Sequence, residues 1–180
     1  MLLVLDNGSV YTKNLIDFLN QKNILFETQT PQNIDLNKIE KYDSIILSGR
    51  RKNEKKTNEV NSKIIKHSIE KDKKLLGICY GAEILALTLG GTIRKTDYMQ
   101  KGDETINIFK DNPISKDSLT VFESHGFEIS KLPKTLVSLA ESENCKYEIV
   151  MYGGKLIFGT QFHPEMSQDG HDLIEKFCSL

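Results

Sequence analysis

Two short stretches of this 180-residue chain carry residue types that could do nucleophilic amide chemistry. In LLGICYGAEILALTLGG, residues 75–91, Cys79 separates an apolar run from an amphipathic one, with Gly77 and Gly81 two positions to either side. If 75–78 is a strand and 82–89 a helix, the thiol stands on the connecting turn at the carboxyl end of the strand, as in a nucleophile elbow. The following helix would aim its N–H groups at the sulfur. That field, with a nearby imidazole, can lower a thiol pKa from about 8.5 to roughly 3.5–7.5. The same N–H groups can stabilise an oxyanion. Taken alone, the pattern equally suits a small buried core residue, because cysteine packs as a compact hydrophobe.

A thiolate nucleophile needs a base, and the base needs an orienting group. Of the four histidines, His67 lies in a lysine-rich stretch and His171 near the start of the last predicted helix, both positions typical of a surface. His125, in ESHGFE, precedes a glycine. In GTQFHPEM, His163 follows the apolar run KLIFGT and Glu165 stands two residues on. In an extended backbone both side chains would share one side. Glu165 could then fix the imidazole tautomer and leave the other nitrogen for the thiol. The cysteines at 79, 145 and 178 show no metal-ligand spacing with these histidines.

The elements that must position these groups follow from hydrophobic pattern. Strands are expected at 2–5, 24–28, 42–47 and 75–78, and helices at 11–20, 59–71 and 82–89. This alternation predicts an α/β fold, a three-layer, doubly wound and mostly parallel sheet with helices on both faces. The second half reads as short strands at 92–95, 105–109, 119–122, 136–141, 148–152 and 155–160, an added antiparallel region. Tyr152-Gly153-Gly154-Lys155 is a two-residue hairpin signal, and 170–177 a closing helix. Without a repeat, linker or composition break, 1–180 reads as one domain. The run RRKNEKK, 50–56, has five basic residues in seven. It reads as a mobile, solvated loop, or alternatively as a docking patch for an acidic partner or phosphate.

Bulk properties exclude several classes. The net charge of −1, with 27% charged residues, gives no general attraction to nucleic acid or an anionic membrane. No apolar run is long enough to span a bilayer, and MLLVLDNG lacks the basic segment of a signal peptide. Three widely spaced cysteines suit a reducing compartment, the cytoplasm.

GICYG and QFHPE, in this order and roughly eighty residues apart, resemble the two signatures of class I, triad-type, glutamine amidotransferases. LVLDNGSVYTKNL is similar to the family's opening strand, turn and helix, Ser48-Gly49 to its oxyanion loop, and SHGF at 124–127 to a glutamine-pocket segment. The resemblance implies a flavodoxin-like glutaminase fold with Cys79 as nucleophile, His163 as acid/base and Glu165 as its orienter. It implies Gly49 and Tyr80 N–H groups as the oxyanion hole, and Glu83, Ser124, Gly126 and Phe127 as the pocket for L-glutamine, with no cofactor or metal. Two positions depart from the family pattern. Arg50-Arg51 follows Ser-Gly in place of glycine and proline, and Glu83 stands where glutamine is common. A carboxylate can accept from the substrate ammonium but cannot donate to its carboxylate.

Such glutaminases deliver ammonia to a synthetase, and neither GxxxxGK[ST] nor SGGxDS occurs here. The resemblance therefore implies, as partner, a separate ATP-dependent synthetase subunit. GICYG with GSVYT and SHG is most similar to glutaminase subunits of GMP synthases. DNGSVYTKNL is also similar to small subunits of anthranilate and aminodeoxychorismate synthases. A stand-alone γ-glutamyl amide hydrolase and a non-catalytic regulatory relative are the remaining alternatives.

Overall fold

A run such as Leu2–Leu5, apolar at every position, suits a strand covered on both faces. It is such a strand in the computed structural model, which describes residues 1–180. The first half runs β1 (Leu2–Leu5), α1 (Thr12–Gln21), β2 (Phe26–Gln29), β3 (Ser44–Leu47), α2 (Lys55–Glu70), β4 (Lys74–Ile78) and α3 (Tyr80–Thr88). The second runs β5 (Thr92–Ile108), β6 (Ser118–Lys131), β7 (Leu136–Glu141), β8 (Ile149–Tyr152), β9 (Ile157–Thr160) and α4 (Gln168–Ser179).

Alternate side chains of β1 go to two separate cores. Leu2 and Val4 pack with Leu15, Phe18 and Leu19 of α1 and with Leu173, Ile174 and Phe177 of α4. Leu3 and Leu5 face the other way, towards Val60, Ile64 and Ile65 of α2 and Leu85 of α3. Each fully buried side chain of this size contributes roughly 1.5–3 kcal/mol. The helices thus cover both faces, giving the expected three layers.

All nine strands form one sheet in the order β2-β1-β3-β4-β9-β8-β7-β5-β6. The first five are parallel neighbours and the last four antiparallel, so the predicted division of the chain is correct in kind. The hairpin predicted at 152–155 joins β8 to β9, with Gly154 at φ 79°.

Boundaries differ where polar residues are paired but exposed. The pieces expected at 92–95 and 105–109 are the two ends of the 17-residue β5. Its polar middle pairs with β6 around an irregularity between Lys95 and Gln100, without presenting a buried face that would mark it as strand. SHGF lies inside β6, His125 opposite Gln100 and Phe127 opposite Lys95. Helix α2 begins at Lys55, so Lys55 and Lys56 of the charged run are its first turn.

The feature that builds the site is the pairing of β4 with β9. Ile78 stands opposite Thr160, and the chain leaves both strands at the same end of the sheet. Residues distant in sequence, Cys79 and the 161–165 segment, emerge side by side there. No helix is long and apolar enough to cross a membrane.

Candidate active site

Cys79 sits between the last residue of β4 and the first of α3, with φ 50° and ψ −102°. A non-glycine residue held in such a conformation costs about 1–3 kcal/mol. The bonds that hold it are short: its N–H donates to the Thr160 carbonyl at 2.7 Å, and its carbonyl accepts from Ala82 and Glu83 N–H at 3.0 Å. The flanking glycines are required by closeness. A Cβ on Gly77 would lie 2.5 Å from the Gly81 carbonyl, and one on Gly81 would lie 2.6 Å from the Leu47 oxygen on β3. The helix therefore starts pressed against the sheet, which makes the sharp strand-to-helix turn expected of a nucleophile elbow.

His163 Nδ1 lies 2.8 Å from Oε1 of Glu165, and the two residues are only 3% and 2% exposed. A carboxylate only accepts, so this contact places the proton on Nδ1 and leaves Nε2 as the basic nitrogen. The backbone differs from the extended form expected. His163 itself is extended, but Pro164–Met166 is a 3₁₀ turn, which proline at its first position favours. The turn carries Glu165 back beneath the ring. The His163 N–H donates to the Phe122 carbonyl at 2.8 Å, tying the segment to β6. Gly49, at the end of β3, lies so near that an added Cβ would be 3.0 Å from Cε1 of the imidazole.

Cys79, Tyr80, Glu83, Ser124, Gly126 and Phe127 line one cleft of about 240 Å³, so the structure brings these predicted residues together. Arg50, Arg51, Asn53, Met99 and His125 share the lining and were not assigned to the site from sequence. The mobile-loop expectation for 50–56 is corrected at Arg50. Its guanidinium lies 3.9 Å over the Tyr80 ring and donates to Oδ1 of Asn53 at 2.9 Å and of Asn58 at 2.6 Å. Tyr80 Oη donates to the same Asn58 oxygen at 2.8 Å. Arg50 is thus held by partners on α2 and α3, which no local pattern could announce.

Electrostatics in the cleft also depart from expectation. Burial pushes the Cys79 thiol well above its ordinary pKa, and the carboxylates of Glu83 and Glu165 add to the rise, while the Tyr80 N–H opposes it. The expected lowering is absent because the sulfur is almost wholly desolvated and faces two negative groups. Glu83 is itself buried, which raises its pKa against the lowering effects of Gln161 and Arg50. Gln161 Nε2 lies 3.4 Å from Glu83 Oε1 and 3.3 Å from the Phe127 carbonyl, joining α3 to the wall of the cleft.

His125 is flanked by acceptors on both nitrogens, the Phe127 carbonyl at 2.8 Å from Nδ1 and Glu123 Oε2 at 3.0 Å from Nε2. Burial works against its charge most strongly of any one effect, but Glu123, the Phe127 carbonyl and Glu83 together outweigh it and the pKa is raised. Tyr11, also unassigned from sequence, packs its ring 4.6 Å from the His163 imidazole. His67 lies on α2, and His171 stacks on Phe18 at 4.3 Å. Cys145 and Cys178 lie away from the cleft, with thiols raised by burial, the latter to about 11. No group of three or more His, Cys, Asp or Glu side chains is arranged to hold a metal ion.

A thiol on a strained strand-to-helix turn, with a carboxylate-oriented imidazole on the segment leaving the neighbouring strand of a doubly wound sheet, has the form of a thiol-dependent amide hydrolase. Comparison with known proteins makes the class specific. The family model for glutamine amidotransferase class-I matches residues 3–179, and the chain belongs to that family. Over 189 residues it is 29% identical to the glutamine-hydrolyzing GMP synthase subunit of Methanocaldococcus jannaschii, covering all of this chain and 97% of that one. The Pyrococcus furiosus protein of the same name is 30% identical, with 100% and 98% covered. The crystal structure of a candidate GMP synthase subunit from Thermoplasma acidophilum superposes with a TM-score of 0.87 at 26% identity, covering 99% of this chain and 92% of that one. This chain is a glutamine amidotransferase.

Proposed function

We propose that the protein is the glutaminase subunit of a two-subunit GMP synthase, that residues 1–180 form one domain, and that it works in the cytoplasm. It hydrolyses L-glutamine and passes ammonia to a separate ATP-dependent synthetase subunit that aminates xanthosine monophosphate. The observation that carries this reading is the end-to-end match with relatives that are themselves named as individual GMP synthase subunits. The single sheet and the three free cysteines agree with the domain and the compartment.

In this reading Nε2 of His163 takes the Cys79 proton as the sulfur attacks the side-chain amide carbon of glutamine. The raised thiol pKa fits a proton that leaves when substrate fills the cleft, and a free chain that is slow on its own. The Gly49 and Tyr80 N–H groups hold the tetrahedral oxyanion. Protonated His163 then gives its proton to the leaving nitrogen, and ammonia departs from a γ-glutamyl thioester. Water, deprotonated by the same nitrogen, attacks the thioester, releasing glutamate and the thiol. Glu165 keeps the ring oriented and balances its charge in both steps. Glu83 accepts from the substrate ammonium, and Ser124, Gly126 and Phe127 form the facing wall.

The test is to purify the chain, add the ATP-pyrophosphatase subunit of a GMP synthase from the same source, and follow glutamate and GMP. Glutamine-dependent GMP formation is expected only with both subunits. Glutamine turnover at full rate by the chain alone, with no gain from the partner, would identify a stand-alone amidase instead.

A further inference from the structure

Tyr11 touches both the candidate base and the wall of the cleft. Its ring centroid is 4.6 Å from that of His163, with the planes inclined at 60°. Its hydroxyl donates to Oγ of Ser124 at 3.1 Å. The residue is well anchored for such a task. It is the N-cap residue of α1, its N–H donates to Ser9 Oγ at 3.1 Å, and its ring meets Phe122 edge-on at 5.8 Å. Phe122 is also the residue whose carbonyl receives the His163 N–H. The imidazole therefore lies among Tyr11, Gly49 and the Glu165 carboxylate, with little room to rotate.

The hydroxyl contact has a directional consequence. A serine hydroxyl offers one proton and two acceptor sites. With Tyr11 donating into one acceptor site, the Ser124 proton is free to go to another acceptor. The cleft has need of such a donor, because ionised Glu83 can accept from an amino acid's ammonium but has nothing to give its carboxylate.

We propose that Tyr11 is a positioning residue that braces the His163 ring and turns the Ser124 hydroxyl proton into the cleft, towards the α-carboxylate of glutamine. The proposal rests on the glutaminase reading above. It assigns Tyr11 two separable contributions, the ring to turnover and the hydroxyl to substrate affinity.

The experiment compares wild type, Tyr11→Phe and Tyr11→Leu with the synthetase partner present, measuring kcat and KM for glutamine across pH. Alongside, the His163 Cε1–H resonance of each free chain is followed by NMR. Losing one hydrogen bond is worth up to about a tenfold change, so Tyr11→Phe is expected to raise KM about fivefold to tenfold while holding kcat. Its His163 resonance and pH profile should match wild type. Tyr11→Leu is expected to raise KM similarly, lower kcat in addition, and shift the resonance. An unchanged KM in Tyr11→Phe, or equal kcat in the two variants, overturns the proposal. If Tyr11→Leu does not fold, the Tyr11→Phe arm still decides it. A wild-type chain that turns over no glutamine with its partner overturns the glutaminase reading itself, before either variant is read.

Discussion

The Cys79 amide donates to the Thr160 carbonyl across 2.7 Å, so β4 and β9 stay bonded one residue beyond the end of β4. That bond fixes the thiol relative to the segment carrying His163 and Glu165. A strained turn persists only where its surroundings over-determine it, and here the surroundings are the neighbouring strand.

Cys79→Ala should abolish glutamine hydrolysis by the paired subunits and leave the fold in place. A melting temperature within about 4 °C of wild type is the expected control, since the loss is that of a single small side chain. Residual turnover at the wild-type rate would remove Cys79 from its role.

Gly81→Ala places a Cβ 2.6 Å from backbone on β3, where nothing flexible can yield. Destabilisation of about 1–3 kcal/mol is expected from urea unfolding, as for other overpacked sites. Gly126→Ala is the contrast, because its Cβ would meet only Met99 Sδ at 3.6 Å. Its midpoint should stay at the wild-type value.

Glu165→Gln keeps the nucleophile and the base but removes the charge that orients and balances the imidazole. A kcat reduced on the order of 10²- to 10⁴-fold, with KM little changed, is expected from steady-state assay of the paired subunits. Full activity would leave Glu165 a purely structural residue.

Thiol labelling of the free chain reads the electrostatics directly. Because burial and two carboxylates raise the Cys79 pKa, the reactive thiolate is scarce at neutral pH and increases only as pH rises above the ordinary thiol range. Iodoacetamide modification of Cys79, followed by mass spectrometry, should therefore accelerate steadily through about pH 9 and beyond, as any group with a raised pKa does. Glu83→Gln removes one of those carboxylates and should speed labelling at every pH in that window. A plateau already reached near about pH 7 would contradict the raised thiol.

Glu148 supplies a stability test away from the cleft. It is fully buried, accepts from Ser142 Oγ at 2.7 Å, and is raised well above the usual carboxyl range by burial and by Glu123. The folded chain thus holds a proton that the unfolded chain loses above about pH 4.3, so stability falls as pH rises from there to the folded pKa. Glu148→Gln removes the penalty. Denaturant unfolding should find it more stable than wild type at about pH 8, with the advantage gone below about pH 4.

What could be read from sequence was whatever a periodic or local pattern records. The buried run 2–5 and the glycine-flanked Cys79 announced a strand and an elbow because their constraints lie within a few residues. The middle of β5 could not be read, since its polar side chains remain exposed while its backbone pairs. Arg50 looked like part of a solvated charge run because Tyr80 and Asn58, which hold it, are neighbours only after folding. Tyr11 and Gln161 were overlooked for the same reason, although Tyr11 lies in the GSVYT stretch that contributed to the family resemblance. The thiol pKa was misjudged in direction, because sequence shows the helix start but not the depth of burial.

The order of strands separates two halves of the candidate site. Cys79 and His163 leave the parallel core at β4 and β9, whereas Ser124 to Phe127 belong to the outermost antiparallel strand, four strands away from β9. The proposed nucleophile and base thus stand at the centre of the sheet, and part of the proposed glutamine wall stands on an edge ribbon that reaches back to it, where the His163 N–H meets the Phe122 carbonyl. Phe122 of that same strand holds the His163 N–H, so a substitution that shifts the edge is expected to be transmitted to the imidazole, and the two halves of the site should change together in descent.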